Sequence, residues 1–184
     1  RRKRSIMFDW DVVIVGGGPA GLTAGLYLSR AKHRVLLLDK EAFGGQIRNV
    51  ELIENYPGFP EGVGGAALAQ QMQMHAEKYG AVFQFETATE VDFQTYPFRI
   101  KTRQNQFTAK AVIITTGSSP RTLGVPGEDK LRGHGVSYCA TCDGWFFKDK
   151  VVAVVGGGDW ALEEGVFLTR FAKKVHRKSS INKY

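Results

Sequence analysis

The two cysteines of the chain lie three positions apart, at Cys139 and Cys142, and Asp143 follows them directly. Two thiols at this spacing can form a readily reduced disulfide, whose lower-pKa thiol attacks a disulfide in another molecule. The same spacing supplies two of the four ligands of a structural zinc ion. Because the sequence has no second cysteine pair and only His134 nearby, we favour redox chemistry and predict no metal site.

Asp143 has two interpretations next to this pair. As a local acid it would protonate the thiolate that departs during disulfide exchange. As a turn residue it would only lead into Gly144, because aspartate and glycine are frequent in turns. The spacing leaves both open, and it also leaves open a pair of cysteines without a chemical role.

A glycine-rich segment, 16–21, follows the apolar run 11–15 and precedes a predicted helix, 22–31. In this Gly-x-Gly-x-x-Gly pattern the first glycine permits a tight turn, the second lets a pyrophosphate approach, and the third lets the helix pack close to the strand. Asp39 lies 18 residues after Gly21, at the end of the predicted second strand, where a carboxylate accepts hydrogen bonds from a ribose. The sequence therefore predicts a dinucleotide site here.

The same pattern returns 140 residues later as Gly-x-Gly-x-x-Ala over 156–161, after the apolar run 151–155. We interpret it as an internal duplication of a nucleotide-binding strand–helix unit. Asp159 and Trp160 fit less well, because an acid repels phosphate and an indole is bulky. A second strand is expected near 174–176, and the following Arg177-Lys178 favours the 2′-phosphate of NADP, although a solvated basic tail is an equal alternative.

These sites require an α/β framework. Continuous β-branched runs are typical of parallel strands buried on both faces, which we expect for 11–15 and 151–155. Ser118-Ser119-Pro120 and 125–127 predict a hinge, giving domains at 9–119 and 120–184 after a basic extension, 1–8. The other predicted elements are a helix over 66–79 closed by Gly80, strands over 82–85 and 98–102, a turn at 104–105 leading into 107–110, and a buried strand over 111–114.

The net charge of +7 is concentrated at the two ends of the sequence. Residues 1–4 carry four positive charges and 173–184 carry five, which leaves 16 basic and 18 acidic residues elsewhere. A nucleic-acid-binding face would spread through the body, so we expect no nucleic-acid partner. No apolar run is long enough to span a membrane. Two cysteines without a disulfide framework and no export signal are typical of a cytoplasmic protein.

Taken together, these segments resemble the low-molecular-weight thioredoxin reductases. The resemblance covers roughly residues 9–175, and its motifs occur in the order found in the family. They are Gly-Gly-Gly-Pro-Ala-Gly (16–21), Gly-Gly-Gln (44–46), Glu-Asn-Tyr-Pro-Gly (54–58), Thr-Thr-Gly (115–117), Cys-Ala-Thr-Cys-Asp-Gly (139–144) and Gly-Gly-Gly-Asp-Trp-Ala-Leu-Glu-Glu (156–164).

The resemblance implies a flavoprotein with a three-layer, Rossmann-like FAD domain followed by the beginning of a second, NADPH-binding domain. Electrons would pass from NADPH to FAD, then to the Cys139–Cys142 disulfide, and finally to thioredoxin. Cys142 would face the flavin, Cys139 would attack the partner, and Asp143 would be the acid. The FAD residues would be Gly16, Gly17, Gly18, Pro19, Ala20, Gly21, Asp39, Lys40, Gly45, Gln46, Asn55, Val91, Thr116 and Gly117, and the NADPH residues Gly156, Gly157, Gly158, Asp159, Trp160, Ala161 and Arg177.

Members of that family are much longer, and their FAD domain resumes near the C-terminus with a Gly-Asp segment. We therefore expect this chain to be a fragment that binds FAD weakly, whereas the full-length protein would be a homodimer. Two alternatives to thioredoxin reduction are open. One is the reduction of a peroxiredoxin or a glutaredoxin-like protein, and the other is a nucleotide-binding fragment without catalytic activity.

Overall fold

The computed structural model describes residues 8–179. The predictions for residues 1–7 of the basic extension and for 180–184 lie outside this range. The described residues divide into two compact units, on either side of the bond between Ser119 and Pro120. The division falls within the predicted hinge segment, Ser118-Ser119-Pro120.

The first unit is built on one six-stranded sheet with helices. Its elements are β1 (Trp10–Val15), α1 (Pro19–Arg30), β2 (Val35–Asp39), a 3-10 helix (Gly45–Asn49), α2 (Gly65–Lys78), β3 (Val82–Phe85), β4 (Glu90–Asp92), β5 (Phe98–Lys101) and β6 (Gln106–Ile114). The strand order is β3-β2-β1-β6-β5-β4. Strands β1, β2, β3 and β6 are parallel, while β4, β5 and β6 form an antiparallel meander.

Apolar side chains on both faces of β1 and β2 form the core of this unit. Ile14 and Leu37 are buried in the cluster that includes α1 and α2, and Val13 and Leu36 are buried in a second cluster with Ile100 of β5. Successive residues of β1 and β2 point to opposite faces. The helices pack on one face, and side chains of β4 and β5 pack on the other, where β6 continues from the parallel strands into the meander. This arrangement gives three layers and confirms the predicted α/β fold class.

The prediction that 111–114 is a buried strand is wrong. The segments 107–110 and 111–114 form one continuous strand, β6, and Ile114 is 53% exposed. The neighbouring strand β5 begins at Phe98, which pairs with Ala109, so within residues 8–179 the segment 110–114 pairs only with β1.

The second unit contains a short helix α3 (Ala140–Asp143), a 3-10 helix (Gly144–Phe147), β7 (Val151–Val155), α4 (Asp159–Leu168) and β8 (Lys174–Lys178). Strands β7 and β8 pair in parallel, which confirms the strand expected near residue 174. Helix α4 packs on the face that carries Val154, but Val151 is 60% exposed. The expectation that β7 is buried on both faces is therefore wrong for the described residues.

Asp11 of β1 contacts Lys110 in the middle of β6 and Arg34, the residue before β2. Its carboxylate accepts hydrogen bonds from Lys110 Nζ (2.8 Å) and from the Arg34 backbone N–H (2.8 Å), and Arg34 Nε lies 3.5 Å away. The Lys110 hydrogen bond, followed by the Arg34 backbone hydrogen bond, lowers the pKa of Asp11 from 3.8 to about 2. The ionised carboxylate therefore favours the folded state above pH 3.8, and this contribution is lost as the pH falls towards 2.

We expect Asp11→Asn to lower the free energy of unfolding at pH 7 by about 1–2 kcal/mol, a range reduced for solvent screening. Urea unfolding of the variant and the wild type should give a difference that shrinks between pH 4 and pH 2. Glu41→Gln is the matched control, because Glu41 pairs with Lys40 at 3.6 Å and both side chains are exposed. A difference between Asp11→Asn and wild type that does not change with pH would contradict this account.

Candidate functional site

The first glycine loop lies at the carboxyl edge of the parallel sheet. It follows β1, whose neighbours are β2 on one side and β6 on the other. In open α/β sheets, ligands bind in the crevice where the chain connections leave in opposite directions. The loop residues 16–18 and the segment after β6 both lie at this crevice.

Close backbone contacts explain why glycine is required at two positions of this loop. Gly16 has φ +108°, and a Cβ there would lie 2.2 Å from the carbonyl oxygen of Thr115. A Cβ at Gly21 would lie 2.0 Å from the carbonyl oxygen of Gly16. The Thr115 hydroxyl also donates a hydrogen bond to that oxygen (2.7 Å). The sequence marked Thr115 only as part of the Thr-Thr-Gly motif, and its hydrogen bond to the glycine loop was not predicted.

Asp39 reaches the same loop from the end of β2. Its Oδ2 accepts a hydrogen bond from the Gly17 backbone N–H (2.7 Å), which places the carboxylate beside the glycine loop. A Cβ at Gly17 would lie 2.2 Å from Cδ1 of Phe43, a buried ring that packs edge-on against Phe83 at 4.7 Å. Phe43 is a residue that the sequence did not reveal, since an isolated phenylalanine in a loop carries no pattern.

The start of α1 completes an anion-binding geometry. Gly18 precedes the helix without a side-chain cap, and Pro19 is its first residue. The N–H groups of the first turn, at Ala20 and Gly21, are therefore available to an anion at the positive end of the helix dipole.

Two further segments with predicted cofactor residues are attached to this loop. The Gly44 N–H donates to the Gly17 carbonyl oxygen (2.7 Å), and Gln46 Nε2 donates to the carbonyl oxygen of Ser118 (3.4 Å). The structure therefore brings Gly45 and Gln46 together with the exposed Thr116-Gly117 segment.

Three predicted residues are not linked to the loop in this way. Lys40 is exposed and pairs with Glu41, and Asn55 lies on an exposed loop beyond the Ile53–Val63 bridge. Val91 packs in the core cluster under the sheet. Val91 pairs with Ile100, and Ile100 pairs with Phe107, which lies near the amino end of β1. Val91 is therefore at the end of β1 opposite to the glycine loop.

The second glycine loop repeats the local geometry of the first. The Gly156 N–H donates to the Lys178 carbonyl oxygen (3.0 Å), as the Gly16 N–H donates to that of Leu38 (2.8 Å). Gly156 has φ +154°, and a Cβ there would lie 2.8 Å from Cβ of Ala161. Gly158 precedes α4 without a side-chain cap.

The two loops differ at the end of the second strand. A Cβ at Gly17 would lie 3.1 Å from Asp39 Oδ2, and one at Gly157 would lie 3.1 Å from Ser179 Oγ. A neutral serine thus stands where the first loop has a carboxylate. Arg177 and Lys178 end β8 beside it, whereas Asp159 and the 71% exposed Trp160 lie in the first turn of α4.

The two cysteines form a disulfide at the start of α3. The sulfur atoms are 2.06 Å apart, and the Cys142 N–H lies 3.1 Å from Cys139 Sγ, which it faces as a hydrogen-bond donor. Cys139 is half-buried and Cys142 is exposed. The Asp143 carboxylate accepts a hydrogen bond from the Ser137 hydroxyl, whose oxygen in turn accepts one from the Cys139 N–H (3.1 Å).

A buried carboxylate fixes the segment that precedes the cysteines. Glu128 is 5% exposed and accepts hydrogen bonds from the N–H groups of Leu123 (2.9 Å) and Gly124 (2.8 Å) and from the Tyr138 hydroxyl (2.6 Å). The Tyr138 hydroxyl is the largest cause of the lowered pKa of Glu128, and the same bond raises the pKa of Tyr138. The residue next to Cys139 is thereby anchored.

The sequence matches a known protein family over most of its length. The model of the pyridine nucleotide-disulphide oxidoreductase family matches residues 10–180. The chain is 49% identical over 176 residues to a thioredoxin reductase of Bacillus subtilis (strain 168), covering 94% of this chain and 55% of that protein. One from Peptoclostridium litorale is 46% identical over 175 residues, covering 94% and 56%.

The fold is also similar to that of a solved thioredoxin reductase. The crystal structure of thioredoxin reductase from Streptococcus pyogenes MGAS5005 superposes with a TM-score of 0.87 at 43% identity, over 91% of this chain and 55% of that one. The chain spans about half the length of the curated relatives it matches. Of the helices within residues 8–179, none is both long and apolar enough to cross a membrane.

The close contact at Gly21 makes this position sensitive to substitution. We expect Gly21→Ala to lower the free energy of unfolding by about 1–3 kcal/mol, because its Cβ would push α1 away from β1. Gly18→Ala is the matched control, since its Cβ would meet only Gly45 Cα at 3.9 Å. Denaturant unfolding measures both, and equal losses for the two variants would mean that close packing does not explain Gly21.

Proposed function

The chain belongs to the pyridine nucleotide-disulphide oxidoreductase family, as the resemblance predicted, and on this premise we propose that it passes electrons from NADPH, by way of bound FAD and the Cys139–Cys142 disulfide, to thioredoxin. One observation carries the proposal. The disulfide and the second glycine loop lie in the same compact unit, and α4 contacts both, because it begins after Gly158 and holds Ala140 through Glu164.

The first glycine loop fits the pyrophosphate and ribose of FAD. At Gly16 and Gly21 a side chain would collide with the carbonyl oxygens of Thr115 and Gly16, so only glycine keeps the turn tight. The first turn of α1 offers N–H donors, and Asp39 offers acceptors for ribose hydroxyls. When bound, FAD supplies a two-electron relay between a nicotinamide and a disulfide. We propose that the remaining contacts come from Gly17, Gly18, Pro19, Ala20, Gly45, Gln46, Thr116 and Gly117, while Lys40, Asn55 and Val91 stay predictions.

The second glycine loop fits NADPH. The loop residues 156–161 repeat the geometry of the first loop, which supports binding of a second pyrophosphate. Arg177 and Lys178 supply positive charge beside Ser179, and no carboxylate stands at that position to repel a 2′-phosphate. This arrangement favours NADPH over NADH.

The thiols then carry out disulfide exchange. In the reduced protein, the Cys139 thiolate attacks one sulfur of the partner's disulfide, and the partner's other sulfur leaves as a thiolate. The Cys142 thiolate next attacks Cys139 in the mixed disulfide, which restores the Cys139–Cys142 bond and releases the partner as a dithiol. Asp143, held near the pair through Ser137, is proposed to supply the proton to a departing thiolate.

We also propose a cellular location and an oligomeric state. Two cysteines that both take part in redox chemistry are typical of a reducing compartment, so we propose a cytoplasmic location. We propose a homodimer on the resemblance to the thioredoxin reductases alone.

We expect Cys142→Ser to lower thioredoxin reduction by at least about a hundredfold, because the exchange cannot be completed without the second thiol. NADPH should still bleach the flavin absorbance of the variant loaded with FAD, which serves as the internal control. Absorbance at the flavin band and NADPH consumption measure the two steps separately.

Other outcomes of this experiment have a defined meaning. Reduction of a peroxiredoxin or a glutaredoxin-like protein in place of thioredoxin would keep the chemistry and change the partner. A colourless protein that NADPH does not affect would contradict the proposal and favour nucleotide binding without catalysis.

The coenzyme preference gives a second test. Arg177→Ala should weaken NADPH binding by about tenfold and leave NADH binding within about twofold, because only NADPH carries the 2′-phosphate. Lys174→Ala is the matched control, since Lys174 pairs with Val151 at the opposite end of β8. Calorimetric titration measures the affinities, and equal losses for both coenzymes would contradict the assignment of Arg177 to the 2′-phosphate.

A further inference from the structure

A carboxylate of α4 holds the beginning of the redox segment. The Ala140 N–H, at the first residue of α3, donates a hydrogen bond to Glu164 Oε2. The Thr141 hydroxyl oxygen lies 3.5 Å from Glu164 Oε1. Ala140 is 8% exposed, so its N–H has little access to water and depends on this acceptor.

The same helix supports the end of the segment. A Cβ at Gly144 would lie 3.3 Å from Leu168 Cδ2, and Leu168 follows Glu164 by one turn of α4. Cys142 therefore lies between two contacts with one helix, a polar contact at Glu164 and an apolar contact at Leu168, and Cys139 directly precedes the polar one.

The charge of Glu164 has a chemical consequence beyond this positioning. Its carboxylate is hydrogen-bonded to the peptide unit that joins Cys139 to Ala140. Reduction of the disulfide creates thiols that ionise, and a nearby negative charge raises the free energy of a thiolate. A dithiol whose thiolate is disfavoured is the stronger reductant, because a stabilised reduced form is what makes a disulfide oxidising.

We propose that Glu164 is a positioning residue that fixes the Cys139–Cys142 segment on α4 and, through its charge, makes this disulfide harder to reduce. The inference rests on the proposed redox role of the pair. For a reductase the effect is useful, since a more reducing dithiol passes electrons to a partner disulfide more completely.

The test is the exchange equilibrium with dithiothreitol at about pH 9, above the usual thiol pKa of about 8.5. The protein disulfide gains two electrons and two protons as the reagent closes to its cyclic disulfide, and the protein dithiol then releases a proton to form a thiolate. Alkylation of free thiols followed by mass spectrometry gives the reduced fraction without FAD, NADPH or thioredoxin. Glu164→Gln keeps a hydrogen-bond acceptor but removes the charge, and it should shift the equilibrium about threefold to tenfold towards the dithiol.

Three comparisons isolate the cause. Glu164→Asp keeps the charge and should stay within about twofold of the wild type. Glu163→Gln removes the same charge one residue away, at an exposed position, and should also stay within that range. Glu164→Ala removes the acceptor as well, so it should shift the equilibrium and also lower the unfolding temperature.

A Glu164→Gln equilibrium equal to that of the wild type would overturn the electrostatic part and leave Glu164 as a structural contact only. An equal shift in Glu163→Gln would overturn the proposal too, because it would point to overall charge. Since the measurement needs no nucleotide and no partner, loss of thioredoxin reduction alone would bear on the proposed function and not on this inference.

Discussion

The first unit depends on how closely one turn of backbone approaches its neighbours. Gly16 and Gly21 lie against the carbonyl oxygens of Thr115 and Gly16, at distances where no Cβ fits. This contact brings β6, β1 and the start of α1 together at one edge of the sheet. The first N–H groups of α1 and the Asp39 carboxylate, which accepts a hydrogen bond from the Gly17 N–H, both border this glycine loop, so a phosphate and a ribose can be held at the same loop.

The second unit uses the same turn for an additional purpose. Helix α4 begins at the second glycine loop, and its later turns hold the disulfide segment through Glu164 and Leu168. A rigid helix thereby fixes the distance between the nucleotide loop and the redox pair within this unit. A reductase needs such a fixed relation, since transfer between positioned groups depends on orientation as much as on reactivity.

The predictable features are those set by residues close together in the sequence. The glycine spacing, the flanking apolar runs and the cysteine pair follow local rules, and the bounds of α2 differ from the prediction by a single residue at each end. Thr115 and Glu164 could not be predicted in the same way, because their partners Gly16 and Ala140 lie 99 and 24 residues away. The exposed face of β7 likewise depends on which elements pack on it, and a β-branched run carries no information about that.

The two glycine loops differ in charge more than in backbone shape. Their backbones are alike, and the residue at the end of the second strand stands at the same distance in both, 3.1 Å from a Cβ at the middle glycine. What differs is charge, since Asp39 is a carboxylate and Ser179 is neutral with Arg177 and Lys178 before it. A carboxylate accepts hydrogen bonds from a free ribose diol and repels a 2′-phosphate, whereas the basic end of β8 attracts the phosphate. Under the proposed function, the two loops therefore distinguish FAD from NADPH by the charge at the end of the second strand, while both bind a pyrophosphate with a similar backbone turn.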